Sequence, residues 1–226
     1  MNRWTLVAAA CFTLLAITFV AAEEKGKLTV VEKAPAGLAD TVAAALNPNG
    51  QQITAAGATI GSVWLVKQLE AKADFKPSLS VKYPLTPGQL VGAIEIVKKS
   101  EFTDFRGQDV AAGVYTLRYG QQPVDGNHVG TSDLADFLLA IPAKLDTDPA
   151  LLKMSEAMHK LSAKASGSNH PAIFSLLPPK ADEKAPVLTH DTGKHFWILS
   201  LIADGKLGGT AIKIPLRVVI VGVSEG

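Results

Sequence analysis

Polar side chains that could meet at one place are concentrated between Asp104 and Ile141. The run Asp104-Phe105-Arg106-Gly107-Gln108 opens this stretch, Arg118 follows inside a segment of alternating character, and a polar loop, Asp125-Gly126-Asn127-His128-Val129-Gly130-Thr131, leads to Asp136. A second histidine in a tight polar context is His170, in Asn169-His170-Pro171. A metal ion needs convergent imidazoles and carboxylates, and His128 and His170, with Asp125 and Asp133, could supply them if the two loops meet. Arg106 and Arg118 are the residues for clamping an anionic ligand.

Each of these residues also has a plainer use. Asp125 and Asn127 are suited to side-chain-to-backbone turn bonds, with Gly126 at positive φ and His128 a polar loop residue. No two histidines have the i, i+2 or i, i+4 spacing that sets imidazoles side by side on one strand or helix. Arg106 and Arg118 can instead pair internally with Asp104, Asp125 or Asp136, since an arginine in a half-buried strand needs a carboxylate partner. A sugar-binding face would want exposed rings. Tyr83, Tyr115, Tyr119, Phe102 and Phe105 are the available ones, with core packing their alternative use.

Motifs that identify an enzyme in one line are missing from the sequence: there is no nucleophile elbow, no phosphate-binding Gly-Lys-Ser/Thr loop and no paired-histidine metalloprotease helix. Carboxylate pairs from distant strands escape such a search. No cofactor is named by any pattern.

The elements that must position these residues are mostly strands. Lys27 to Glu32 alternates, with Leu28 and Val30 on one side, and Pro35 to Leu46 has Leu38, Val42, Ala45 and Leu46 on one helical face before Asn47-Pro48-Asn49-Gly50 stops it. Strands follow at Thr59 to Lys67 and Leu90 to Val97, the latter with one face solvated around Glu95, and a shorter one is allowed at Leu79 to Tyr83. Gly113 to Tyr119 has the period of two, and Phe137 to Ile141 is apolar on both faces. The period then changes. Asp148-Pro149 is a helix start, and Leu151, Met154, Met158, Leu161 and Ala165 make one stripe up to Gly167, with the two methionines as core filling. Ala172 to Leu177 is a strand, and Pro178 to Gly193 a surface loop. His195 to Ala203 is a buried strand ending at an Asp204-Gly205 turn, and Thr210 to Val223 is a last strand whose Pro215 must lie at an edge or bulge. Eight or nine short strands and one firm helix predict a mainly β fold, a single β-sandwich or distorted barrel with an amphipathic helix inserted at about 148–166 and a short N-terminal helix.

The first residues point to export. Arg3 precedes an apolar run from Leu6 to Val20, and Val20-Ala21-Ala22 offers small residues before Glu23 and Glu24. This predicts a signal peptide over 1–22 and one β-rich domain over 23–226. The run is short of the roughly 20 residues of a spanning helix, and cutting before Cys11 as in a lipoprotein would leave most of it attached. Cleavage removes the single cysteine, so no disulfide is expected, and it removes one of 22 basic residues, balancing the 21 acidic ones. Neutrality gives no electrostatic reason for nucleic acid as partner.

On Asp104 to Gln108, Gly113 to Tyr119, Gln122-Pro123, Asp125 to Thr131, Asp136 to Leu139 and Ser166 to Pro171, the chain resembles an uncharacterised family of exported bacterial proteins of planctomycete-like genomes. No activity, cofactor or binding residue comes with that resemblance. Gly-Val-Tyr-Thr-Leu is also similar to strands of many extracellular β-sandwich modules, which implies fold and not role. The expected function is a non-catalytic periplasmic or extracellular domain that binds an envelope glycan or protein through the loop between Tyr119 and Asp136. The alternative is a metal- or small-ligand-binding protein, hydrolytic in one version, that uses the 104–136 and 169–171 loops.

Overall fold

Alternation of apolar side chains drives most of the chain into extended structure. The computed structural model describes residues 26–97, 102–122, 134–153, 156–180 and 182–224, so Asp125, Asn127, His128 and Asp133 lie outside the described residues. In chain order the described strands are β1 (Lys27–Val31), β2 (Gly50–Ala55), β3 (Ala58–Leu65), β4 (Leu69–Ala71), β5 (Leu90–Ile96) and β6 (Gly113–Gln121). β7 (Asp136–Pro142), β8 (Ala172–Ser175), β9 (Val187–Asp191), β10 (Phe196–Leu207) and β11 (Thr210–Val221) complete them. Two helices, α1 (Asp40–Ala45) and α2 (Glu156–Ser166), and a 3-10 turn at Ala143–Leu145 interrupt the strands.

Seven strands form one antiparallel sheet in the order β1-β2-β3-β5-β6-β7-β8. The second sheet runs β11-β10-β4, with β9 also paired to β10, and only β4 is parallel to its neighbour. Neither sheet closes on itself, so the sandwich is realised and the barrel is not. Ile53, Val63, Ile94 and Leu117 of the first sheet share one core with Leu199, Leu201 and Leu216 of the second. Each such side chain contributes about 1.5–3 kcal/mol of burial. Among the described residues no helix is long and apolar enough to cross a membrane.

Both faces of the central strands are covered. Tyr115, Leu117 and Tyr119 of β6 point into the shared core, while Thr116 and Arg118 on its other face are also buried. Leu139 and Ile141 of β7 pack against Met158 of α2, with Leu161 and Leu152 at the margin. Ser162 fixes the helix to the sheet by donating to Ala140 O at 2.8 Å and Ala172 O at 3.2 Å.

Several expectations are corrected. α2 begins at Glu156 rather than at Asp148-Pro149, and Leu151 of the expected stripe is 57% exposed. The reason is competition for the backbone: the carbonyls of Asp148 and Ala150 accept from Arg118, and Leu152 N donates to Gly88 O at 3.2 Å. These bonds replace the i→i+4 ladder with an extended strap over 146–152. Asp204-Gly205 is not a turn but lies within β10. The hairpin closes at Gly208-Gly209, both at positive φ (55° and 89°), as a two-residue loop between right-twisted strands requires. β9 arises inside the expected surface loop because β10 is long enough to pair it along Phe196–Ser200. β2 and the three-residue β4 were not expected, and Leu79 to Tyr83 forms no strand, with Leu79 94% exposed. Val30 is exposed, so β1 does not bury Leu28 and Val30 together. β5 is buried along nearly its whole length, Glu95 only half-buried, because neighbouring strands flank it on both sides and layers cover both faces. Pro215 lies on β11, at the rim of the second sheet, as its missing N–H demands.

Candidate functional site

Asp104 is fully buried, and its carboxylate is spent on the backbone. Oδ1 accepts from Arg106 N (3.0 Å) and Gln108 N (2.8 Å), and Oδ2 accepts from Gln108 Nε2 (2.9 Å) and Ile173 N (3.0 Å). Four bonds saturate a carboxylate. With Phe105 N donating to Ile173 O at 2.9 Å, this turn caps the free edge of β8 and protects it from further strand pairing. Gln108 Nε2 also donates to Pro171 O at 3.0 Å, so Asp104 and His170 do share one corner. Within that corner Arg106 and His170 are both exposed.

Arg118 is fully buried, and Asp146 answers its charge. Nε and one terminal nitrogen donate to the two Asp146 oxygens at 2.8 Å each, and Thr116 Oγ1 donates to the same carboxylate at 2.5 Å. The remaining guanidinium donors reach Gly88 O (3.0 Å), Ala150 O (2.6 Å) and Asp148 O. All five N–H groups are occupied, which leaves no capacity for an anionic ligand. For Arg118 internal pairing is the outcome, and the partner is Asp146 rather than Asp104 or Asp136.

Asp136 lies across the sheet from Arg118. It pairs in register with Gln121, two residues from Tyr119, so by strand alternation it shares the face opposite to Arg118. The two cannot grip one ligand. Tyr119 donates its hydroxyl to Asp136 Oδ1, and Lys82 N donates to Oδ2 at 2.5 Å. Burial pushes the Asp136 carboxyl up from its ordinary value, against the lowering pull of those donors. Burial, joined by the neighbouring Asp136 carboxylate, likewise keeps the Tyr119 phenol protonated far into the alkaline range. Tyr83, also raised by burial, donates to Leu177 O at 2.6 Å and accepts from Arg217 N at 3.1 Å, tying the two sheets together.

The open site lies elsewhere. After β3 the chain leaves the first sheet to form β4 on the second, held by Asn47 N to Leu65 O, Val66 N to Val91 O and Lys67 N to Ala45 O, each at 2.9 Å. Between this crossing, the start of β5 and the 146–152 strap is a cleft of about 380 Å³. Val66, Leu90, Pro149 and Leu151 make its apolar wall, and Gln68, Glu70 and Gln89 its polar groups. That volume suits a small ligand or a side chain or two of a partner. Arg118 builds the wall indirectly by holding the strap, assisted by Thr41 Oγ1 donating to Thr147 O at 2.6 Å. A smaller recess of about 210 Å³ lies on the far side of the crossing, among Asn47, Asn49, Gln51, Leu65 and Pro186. None of these residues is signalled by sequence. Leu151 fits a buried stripe, and isolated glutamines carry no motif.

Fold and site together define a mainly antiparallel two-sheet sandwich with a ligand-sized cleft where β3 ends and β5 begins. Among the described residues no three His, Cys, Asp or Glu side chains group as metal ligands. No protein-family model, curated protein or solved structure matches the chain.

Proposed function

We propose that the protein is an exported, non-catalytic binding module of the cell envelope or extracellular space, and that its partner is a polypeptide segment seated in the cleft between β4, β5 and the strap. The observation that carries this reading is the chemistry of that cleft: an apolar wall with exposed Leu151, and side-chain amides at Gln68 and Gln89. An extended peptide presents amides and small apolar side chains in that combination. A glycan would be served by an exposed ring, and Tyr83, Tyr115, Tyr119 and Phe102 are all buried while Phe105 is half-buried against Phe196. The internal engagement of Asp104, Arg118 and Asp136 supports a binding role over a chemical one. Export rests on the sequence of residues 1–22. The metal-binding alternative depends on His128, and no observation among the described residues favours it.

Selection of a random-peptide display library on the purified chain tests the reading. Enriched peptides are expected to bind the wild type and to lose at least tenfold in affinity on Leu151→Asp, a substitution at an exposed position that leaves the melting temperature unchanged. Peptides indifferent to Leu151→Asp would sink the cleft as the binding site. Binding confined to oligosaccharides would sink a polypeptide partner.

A further inference from the structure

The rims of the two sheets differ in how they are closed. At β8 the Asp104 turn occupies the edge, and at β11 Leu177 N donates to Arg217 O at 2.9 Å while the Tyr83 hydroxyl accepts from Arg217 N at 3.1 Å. β1, the opposite rim of the seven-stranded sheet, has no such cover among the described residues, and β9 of the other sheet makes no ladder with it. β1 contains no proline and a single charge, Lys27, at its first position, and Val30 is 56% exposed. An edge with so little to blunt it is open to further pairing.

Backbone direction propagates across the sheet to this rim. Val66 N donates to Val91 O at 2.9 Å and Val97 N to Ile60 O at 3.0 Å, so even-numbered residues of β3 turn their N–H and C=O groups to β5 and odd-numbered ones to β2. Val63 is opposite Gln51, which leaves Gly50 and Gln52 facing β1, across from Val31 and Thr29. The N–H and C=O of Leu28 and Val30 therefore project outward. Among the described residues no hydrogen bond reaches them.

We infer that two copies of the chain pair through this rim, β1 against β1, joining their seven-stranded sheets into one. A two-fold axis perpendicular to the sheet sets residues of equal parity opposite each other, and a register centred on Thr29 satisfies the open groups. Leu28 then lies opposite Val30 of the second copy, and each such pair exchanges both N–H···O=C bonds. Thr29 meets Thr29 of the second copy in the close, non-hydrogen-bonded position, where threonine pairs are favourable, and Lys27 faces an uncharged valine. Centring on Val30 instead would set Lys27 opposite Lys33 of the second copy, a like-charge pair. The strand thus selects its own register. Because the contact is short, the dimer is weak and concentration-dependent. The cleft uses no residue of β1, so this inference is independent of the polypeptide reading.

Sedimentation equilibrium of the purified protein over a concentration series should show monomer and dimer in exchange. Val30→Pro deletes an N–H that bonds nothing within the chain, at a rim where proline is accepted. It should raise the dimer dissociation constant at least about tenfold, since two inter-strand bonds are lost per dimer. Cross-linking reads the register without relying on that variant to fold. Thr29 and Lys27 are both exposed, and a Cys11→Ser background removes the one native cysteine. Mild oxidation should link Thr29→Cys to its copy and leave Lys27→Cys unlinked, because the register brings the two Thr29 positions together and holds the two Lys27 positions apart. A protein that sediments as a monomer at every concentration overturns the inference. So does a dimer that links through Lys27→Cys ahead of Thr29→Cys, or a folded Val30→Pro that dimerises as the wild type does.

Discussion

Truncating Arg118 would strand the buried Asp146 carboxylate and leave three backbone carbonyls without their donor, because one guanidinium satisfies all of them. Breaking a buried pair on one side costs about 3–5 kcal/mol, so Arg118→Ala should lose that much by urea denaturation. Arg118→Lys keeps the charge but has three donors where five are used, and it should recover only part of the loss. Wild-type stability in the lysine variant would contradict the five-bond account. Asp136 sets a pH dependence of definite sign. Its carboxyl is raised by burial, so it holds a proton more tightly in the folded chain than in the unfolded one. The stability this contributes is complete below the ordinary carboxyl value of 3.8 and is lost as pH rises through the raised one. Denaturation at a series of pH values should show that decline in the wild type and a flatter curve in Asp136→Asn, whose overall stability is lower because Tyr119 and Lys82 donate to different carboxylate oxygens and asparagine puts an NH2 donor at one of the two positions. An undiminished slope in the variant would assign the effect to another group.

At the scale of elements, the strap over 146–152 decides both where α2 starts and where the cleft lies. Its seat is Gly88, whose φ of 91° excludes ordinary side chains and whose missing Cβ would stand 1.5 Å from Leu152 O. Gly88→Ala should therefore push the strap off β5, with a melting temperature lowered by strain of about 1–3 kcal/mol and a weakened cleft. Peptide affinity and stability falling together is the expected signature; loss of stability with unchanged affinity would show that the strap does not shape the site. The stripe from Leu151 to Ala165 was legible as a helix over its second half only. Periodicity records which residues can share a face, but Arg118 bids for the carbonyls of the first turn, and that competitor lies 30 or more residues away. Likewise Asp204-Gly205 has turn chemistry, yet Gly208-Gly209 lies four residues on and closes the hairpin with two positive-φ residues, so the Asp-Gly pair stays in the strand.

For the whole molecule, the division into two sheets follows from one short excursion. β4 leaves between β3 and β5, and the gap it opens is the cleft. A three-residue strand spans barely more than one alternation, so nothing in its own sequence announces it. The sequence by itself determined the mainly β class, the rim position of Pro215 and the need of Arg118 for a carboxylate. Those properties depend on a residue and its immediate neighbours, through strand period, missing donors and desolvation of charge. Tertiary structure alone decided that the carboxylate is Asp146, that Asp104 caps an edge, that Arg118 and Asp136 face apart, and that Gln68, Glu70, Gln89 and Leu151 share a cleft. Each of those outcomes joins segments far apart in the chain, and only the packing of one surface on another selects which of many chemically equivalent partners is within reach.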